Sequence, residues 1–150
     1  MKLYLIQHGK ALTEEKDPKR PLIEEGIRET EKIAELLKVK NVKIDFIWHS
    51  KKIRSVQTAQ IISKAVSGAK MIERSDMNPL DAVEKFPDEI ENAGGDLAIV
   101  GHLPFLKYLT SLLLTSKTEP EIVSFIYSGI LCLEKKETWN IIWYITPTSC

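Results

Sequence analysis

Three short apolar runs in this chain each stop at a histidine, and the stretches between them repeat their apolar residues at helical spacing. The runs are residues 2–7 (KLYLIQ), 46–48 (FIW) and 97–100 (LAIV). They end at His8-Gly9, His49-Ser50 and Gly101-His102, and these are all the histidines of the chain. Residues 22–37 place Ile23, Ile27, Ile33, Ala34 and Leu37 on one helical face. Residues 52–66 do the same with Ile53, Val56, Ala59, Ile62 and Val66, and residues 105–114 form a strongly apolar helix. Met71-Ile72 is a weaker strand, Asn78-Pro79 and residues 92–96 (NAGGD) are turns, and residues 81–93 read as an irregular helix. Strands alternating with helices require a mainly parallel sheet, because each crossover helix returns the chain in the same direction. The last third differs. Residues 122–134 and 138–146 are rich in β-branched and aromatic side chains around Lys135-Lys136-Glu137, the pattern of an antiparallel hairpin. The expected fold is α/β, a three-layer arrangement with helices on both faces of the sheet and a C-terminal antiparallel hairpin.

A length of 150 residues fits one domain spanning 1–150, with a core large enough to need no staple. The 21 basic and 21 acidic residues cancel, which argues against a non-specific nucleic-acid binder. No apolar run approaches the roughly 18 residues of a membrane span, so no membrane partner is expected. The N-terminus reads as a first strand, since no small-residue cleavage site follows it. Cys132 and Cys150 stand outside any zinc or disulfide spacing, which fits a reducing cytoplasm.

Ligands of open α/β sheets sit at the carboxyl ends of the strands, the edge to which all three histidines belong. Gly9 lets the backbone turn sharply and approach a ligand closely. Pro104 can open the next helix, whose free N–H groups favour an anion. Arg54 falls on the first turn after His49, and Arg20, Lys10, Lys51 and Lys52 lie in neighbouring loops. Histidines ringed by cations and helix starts describe a pocket for phosphate. Three histidines can also hold catalytic zinc, but a zinc site usually supplies carboxylate partners rather than cations.

His8-Gly9, then Ser50-(x)3-Arg54-(x)2-Gln57-Thr58-Ala59, then Gly101-His102-Leu103-Pro104 together resemble the histidine phosphatase superfamily. The similarity is greatest to its small SixA-type branch, the phosphohistidine phosphatases, which Arg20-Pro21-Leu22 with Gly26 and Ser128 to Cys132 also resemble. The resemblance covers essentially the whole chain and implies a phosphoglycerate mutase-like fold. It also implies a mechanism without metal or other cofactor: His8 attacks phosphorus, becomes phosphohistidine and is hydrolysed by water. Arg54 and His102 match the residues that hold the phosphoryl oxygens, and Arg20 is a further candidate cation. Positioning and charge stabilisation are most of what phosphoryl transfer needs, so arginines and histidines can replace a metal. The nucleophile must keep its attacking nitrogen unprotonated, which a backbone carbonyl near Gly9 on the other ring nitrogen would ensure.

The sequence departs from the family at residue 7, where Gln replaces the motif arginine. Gln7 offers neutral donors in place of a charged fork. Losing one charge-assisted contact from the transition state costs about 2–4 kcal/mol. Lys10 is a candidate to restore the charge. His49 stands where the branch has a small residue, as a third cation or as packing. Asp81 and Glu84 are the nearest candidates for a general acid. Connections no longer than about ten to twelve residues leave no room for a cap over the pocket. The expected partner is therefore a phosphorylated protein, a histidine-phosphotransfer domain among them, or a small phosphate ester. The alternative is a weakly active or non-catalytic phosphate-binding or regulatory module, and Gln7 motivates it.

Overall fold

The computed structural model describes residues 1–149, so Cys150 lies outside the described residues. The elements are β1 (Lys2–Gln7), α1 (Glu24–Val39), β2 (Phe46–Ser50), α2 (Ile53–Ala65), β3 (Lys70–Arg74), α3 (Phe86–Glu91), β4 (Leu97–Gly101), α4 (Phe105–Thr115), β5 (Ile130–Lys135) and β6 (Trp139–Ile145). The strands form one sheet in the order β3-β2-β4-β1-β5-β6. β1 to β4 are parallel, and β5 and β6 add an antiparallel hairpin beside β1. β1 and β4 are central strands covered on both faces, which is why Leu3 to Ile6 and Leu97 to Val100 are apolar at consecutive rather than alternate positions.

The period-2 alternation of β1 divides the core into two layers. Leu3 and Leu5 pack with Phe86, Ile90, Phe105, Leu106 and Leu109 of α3 and α4. Tyr4 and Ile6 pack with Ile33, Leu37, Ala59 and Ile62 of α1 and α2 on the other face. After β1 the chain therefore goes to one face, and after β4 it goes to the other. Two adjacent parallel strands whose continuations part in this way open a crevice at their carboxyl ends. Register then fixes what faces it. Gln7 pairs with Gly101, so His8 and His102 leave the sheet side by side. The backbone N–H of His8 donates to the carbonyl of Gly101 at 3.1 Å.

Four expectations need correction. The irregular helix expected over residues 81–93 is confined to Phe86–Glu91. Pro87 sets its start, and the Asp81 carboxylate instead accepts the Asn78 N–H at 2.8 Å to close a turn. The strand expected from residue 122 begins only at Ile130. Ahead of it the Tyr144 hydroxyl accepts from the Ile126 N–H at 3.1 Å and donates to the Ser124 carbonyl at 3.0 Å. Those backbone groups are thus satisfied without a ladder, and Ser128 turns the chain with a φ of 63°. The third strand is longer than Met71-Ile72, because Lys70–Arg74 pairs along the whole of β2. The β1–α1 connection runs from His8 to Ile23 and the α4–β5 connection from Ser116 to Gly129, both longer than expected.

Candidate active site

His8 sits one residue beyond β1, buried at 6% exposure. Its Nδ1 lies 2.7 Å from the Gly9 carbonyl. A carbonyl can only accept, so Nδ1 carries the hydrogen and Nε2 keeps its lone pair. The tautomer a nucleophile requires is therefore set by the residue that follows it. Gly9 is held in turn: its N–H donates to Thr58 Oγ1 at 3.0 Å, and Thr58 Oγ1 donates to the Arg54 carbonyl at 2.8 Å. A Cβ at residue 9 would lie 2.9 Å from Thr30 Oγ1 and 3.1 Å from the Gly26 carbonyl. Glycine is needed there for close packing.

The rings of His8 and His102 are 5.0 Å apart, centroid to centroid, tilted by 52°. His8 also meets the Tyr127 ring at 5.6 Å. His102 is buried, with Nε2 at 2.6 Å from Ser50 Oγ and with Nδ1 lacking any partner. Arg54, on the first turn of α2, is 8% exposed and its Nε is buried and unpartnered. No carboxylate forms an ion pair with Arg54, and none hydrogen-bonds either imidazole, among the described residues. Unpaired buried polar groups are uncommon in folded proteins. Two of them, a guanidinium nitrogen and an imidazole nitrogen, belong to residues that the sequence assigns to one phosphate pocket.

The electrostatics agree with an anion site. Burial pushes the His8 imidazole down to about 4, against a raising effect of the Gly9 carbonyl, and the charges of Arg54 and Arg20 lower it further. Burial and the neighbouring His8, Arg54, Lys52 and Arg20 push His102 down to about 3. Burial first, and then repulsion from Arg20, lowers Arg54 as well. Every charged group acting on the two imidazoles is a cation, and Arg54 has only Tyr127 acting the other way, so a bound anion relieves all three together.

The remaining candidates are placed as follows. Arg20 adopts a left-handed φ of 49°, and its Nε–H donates to the Leu12 carbonyl at 2.9 Å, which folds the loop back on itself. Its charge reaches His8, His102 and Arg54. Gln7 is buried, with Oε1 unpartnered. Lys10, a candidate to replace the missing arginine, instead holds Glu25 at 2.8 Å and Glu29 at 3.4 Å on α1. Its charge is thus neutralised before it can serve the pocket. Buried His49 points Nδ1 at the Ser50 carbonyl, 2.9 Å away, the same arrangement as His8 with Gly9. Asp81 caps its own turn, and Glu84 is exposed. No group of three or more His, Cys, Asp or Glu side chains among the described residues is arranged to hold a metal ion. Two contacts of the site were not among the expected residues. Ser50 stands in the motif string, but only its contact with His102 gives it a role. Tyr127 carries no sequence signal at all, because a distant loop brings it to His8.

Residues 3–84 match the histidine phosphatase superfamily (branch 1). The chain is 24% identical over 153 aligned residues to phosphohistidine phosphatase SixA of Escherichia coli K12, covering 98% of this chain and 94% of that protein. A structure of the protein histidine phosphatase SixA complexed with tungstate superposes with a TM-score of 0.82 at 25% identity, covering 99% of this chain and 98% of that one. An Agrobacterium tumefaciens structure named for phosphohistidine phosphatase SixA gives a TM-score of 0.75 at 26% identity, with 97% of each chain covered. The six-stranded mixed sheet with its C-terminal hairpin is the phosphoglycerate mutase-like fold of these neighbours.

Proposed function

The chain belongs to the histidine phosphatase superfamily and is a phosphatase, and we propose that it uses His8 as a metal-independent nucleophile toward a phosphohistidine or a similar phosphoprotein. Residues 1–150 act as one catalytic domain in this reading. The His8 Nε2 lone pair attacks phosphorus, the bond to the leaving group breaks, and the phosphoryl group resides on His8. Water then attacks phosphorus, releases phosphate and returns the lone pair to Nε2. His102 Nδ1 and Arg54 supply the donors that face the phosphoryl oxygens as charge develops on them. Arg20 adds positive potential at longer range. The carrying observation is the pair of imidazoles 5.0 Å apart beside a buried arginine that has no counter-ion among the described residues.

The absence of a carboxylate beside either imidazole, among the described residues, bears on the substrate. An alkoxide leaving group needs a proton from a positioned acid, whereas an imidazole leaves readily with little help. The long connections flanking the site hold none of the helices or strands of the fold, so no folded cap covers it. An uncovered pocket suits a phosphorylated side chain on another protein. The SixA relative is named as a phosphohistidine phosphatase and its structural counterpart holds tungstate, a tetrahedral oxyanion. A histidine-phosphotransfer domain is the partner type this reading favours, in a reducing cytoplasm that suits buried, unpaired Cys132.

The test compares hydrolysis of a chromogenic aryl phosphate with that of a phosphohistidine protein, each with and without chelator. The expected result is turnover of both, indifferent to chelator and abolished by His8→Ala. Full activity in that variant would overturn the mechanism, and turnover of the aryl ester alone would remove the phosphohistidine assignment.

A further inference from the structure

The two imidazoles of the site are tied at opposite nitrogens. His8 is held at Nδ1 and presents Nε2, whereas His102 is held at Nε2, by Ser50, and presents Nδ1. A carbonyl fixes the proton of His8, but a hydroxyl can donate or accept, so the proton of His102 must be found by accounting for every group around Ser50.

Ser50 is fully buried, at 0% exposure. Its Oγ lies 2.6 Å from His102 Nε2 and accepts the Lys52 backbone N–H at 3.4 Å. Its single hydroxyl hydrogen therefore has one acceptor within reach, His102 Nε2. With the hydrogen on Nε2 instead, two buried groups would be left without partners, the Ser50 hydroxyl hydrogen and the Nδ1 lone pair, against only the Nδ1–H in the other arrangement, so the Nε2–H form is the more costly. Satisfying the hydroxyl leaves Nε2 as the acceptor and puts the hydrogen of the neutral ring on Nδ1. That nitrogen is buried and has no partner in the protein. A second proton on the ring is opposed by burial and by His8, Arg54, Lys52 and Arg20, with no carboxylate among the groups that act on it. A lone pair at Nδ1 would meet an oxyanion lone pair to lone pair, whereas an N–H there donates to it.

We propose that Ser50 is a positioning residue that fixes His102 as the Nδ1–H tautomer, so that a neutral N–H donor faces the phosphoryl group. Ser50 itself is held from both sides of the crevice. Its backbone N–H donates to Ser55 Oγ at 3.2 Å, and Ser55 Oγ donates to the Val100 carbonyl of β4 at 2.8 Å. The end of β2 and the first turn of α2 are thereby anchored to the strand that carries His102. This assignment rests on the reading of His102 as a phosphoryl ligand, but the tautomer itself can be measured without turnover.

The test is nitrogen-15 NMR of the imidazole rings in the intact, unliganded protein, with His102→Gln used to assign the signals. The expected wild-type spectrum has a pyrrole-type Nδ1 and a pyridine-type Nε2 for His102. In Ser50→Ala the ring is expected to populate the other tautomer and to protonate at higher pH. The kcat/KM of that variant should fall about tenfold to a hundredfold, less than the roughly 10²–10³-fold for outright loss of one preorganised donor because the ring itself remains, and Ser50→Thr, which keeps the hydroxyl, should recover much of it. A wild-type ring with its hydrogen on Nε2 overturns the proposal, as does a Ser50→Ala protein with unchanged tautomer and rate. Turnover that survives His8→Ala would sink the phosphatase mechanism and leave the tautomer result standing.

Discussion

Arg54 should make this protein less stable until an anion arrives. Its side chain is buried, its Nε has no partner, no carboxylate pairs with it among the described residues, and Arg20 repels it. Replacing buried ionic groups with apolar ones of similar volume is often neutral or stabilising by up to about 4 kcal/mol. Arg54 keeps 8% of its surface exposed, so the expected gain for Arg54→Met without ligand is set below that limit, at about 1–3 kcal/mol. In a chain of this length each kcal/mol moves the midpoint by about 2–4 °C, so the melting temperature should rise by roughly 2–12 °C. Ligand reverses the order. Tungstate at a hundred times its Kd should stabilise the wild type by about 2.7 kcal/mol, and the variant should lose most of that response. Its kcat should fall about 10²–10³-fold, the usual effect of removing one donor to a developing oxyanion. Calorimetric melts with and without tungstate, read beside initial rates, test all three. A variant that melts lower than wild type without ligand, yet keeps its full tungstate response, would refute the claim that Arg54 is an uncompensated cation awaiting an anion.

The low proton affinity of His8 has two consequences. Because it is held near 4, kcat/KM should stay level from neutral pH down to about pH 5 and decline only as the nucleophile protonates below that; a decline centred at the ordinary histidine value near 6.5 would contradict it. Since the unfolded chain takes up protons at higher pH than the folded one, stability should be complete above about pH 6.5 and lost as pH falls toward 4. The loss is of the order of 3 kcal/mol for His8 alone, measurable by urea unfolding at pH 7 and pH 4.5. Gly9→Ala should cost about 1–3 kcal/mol by overpacking against Thr30 Oγ1 and the Gly26 carbonyl, and thermal melts would show whether it does. Gln7→Arg should raise kcat/KM by about tenfold or more through a charge-assisted contact; steady-state rates with the phosphohistidine protein decide, and no gain would mean that residue 7 does not reach the phosphoryl group.

The strands and main helices were legible in the sequence because their burial is enforced by period. β1 and β4 read as continuous apolar runs since both their faces are covered, and α1 and α2 read as amphipathic since each covers one face. The alignment of His8 with His102 followed from both closing adjacent parallel strands. What could not be read depends on partners far along the chain. The segment before β5 has strand-like composition, but the Tyr144 hydroxyl satisfies its backbone groups, and no local pattern records that. Lys10 is three residues from Gln7 in sequence, yet Glu25 and Glu29 of α1 take its charge away from the site. Tyr127 reaches His8 through a turn at Ser128-Gly129, a dipeptide that marks a turn but says nothing of which distant residue the turn will meet.

The central claim is that His8 carries the phosphoryl group during turnover. Rapid acid-free quenching of the wild type with a phosphohistidine protein, followed by peptide mass spectrometry at neutral to alkaline pH, should find phosphate on His8, growing and decaying with turnover. Phosphate found on His49 or His102 instead, or turnover at full rate with an unmodified His8 throughout, would contradict the account.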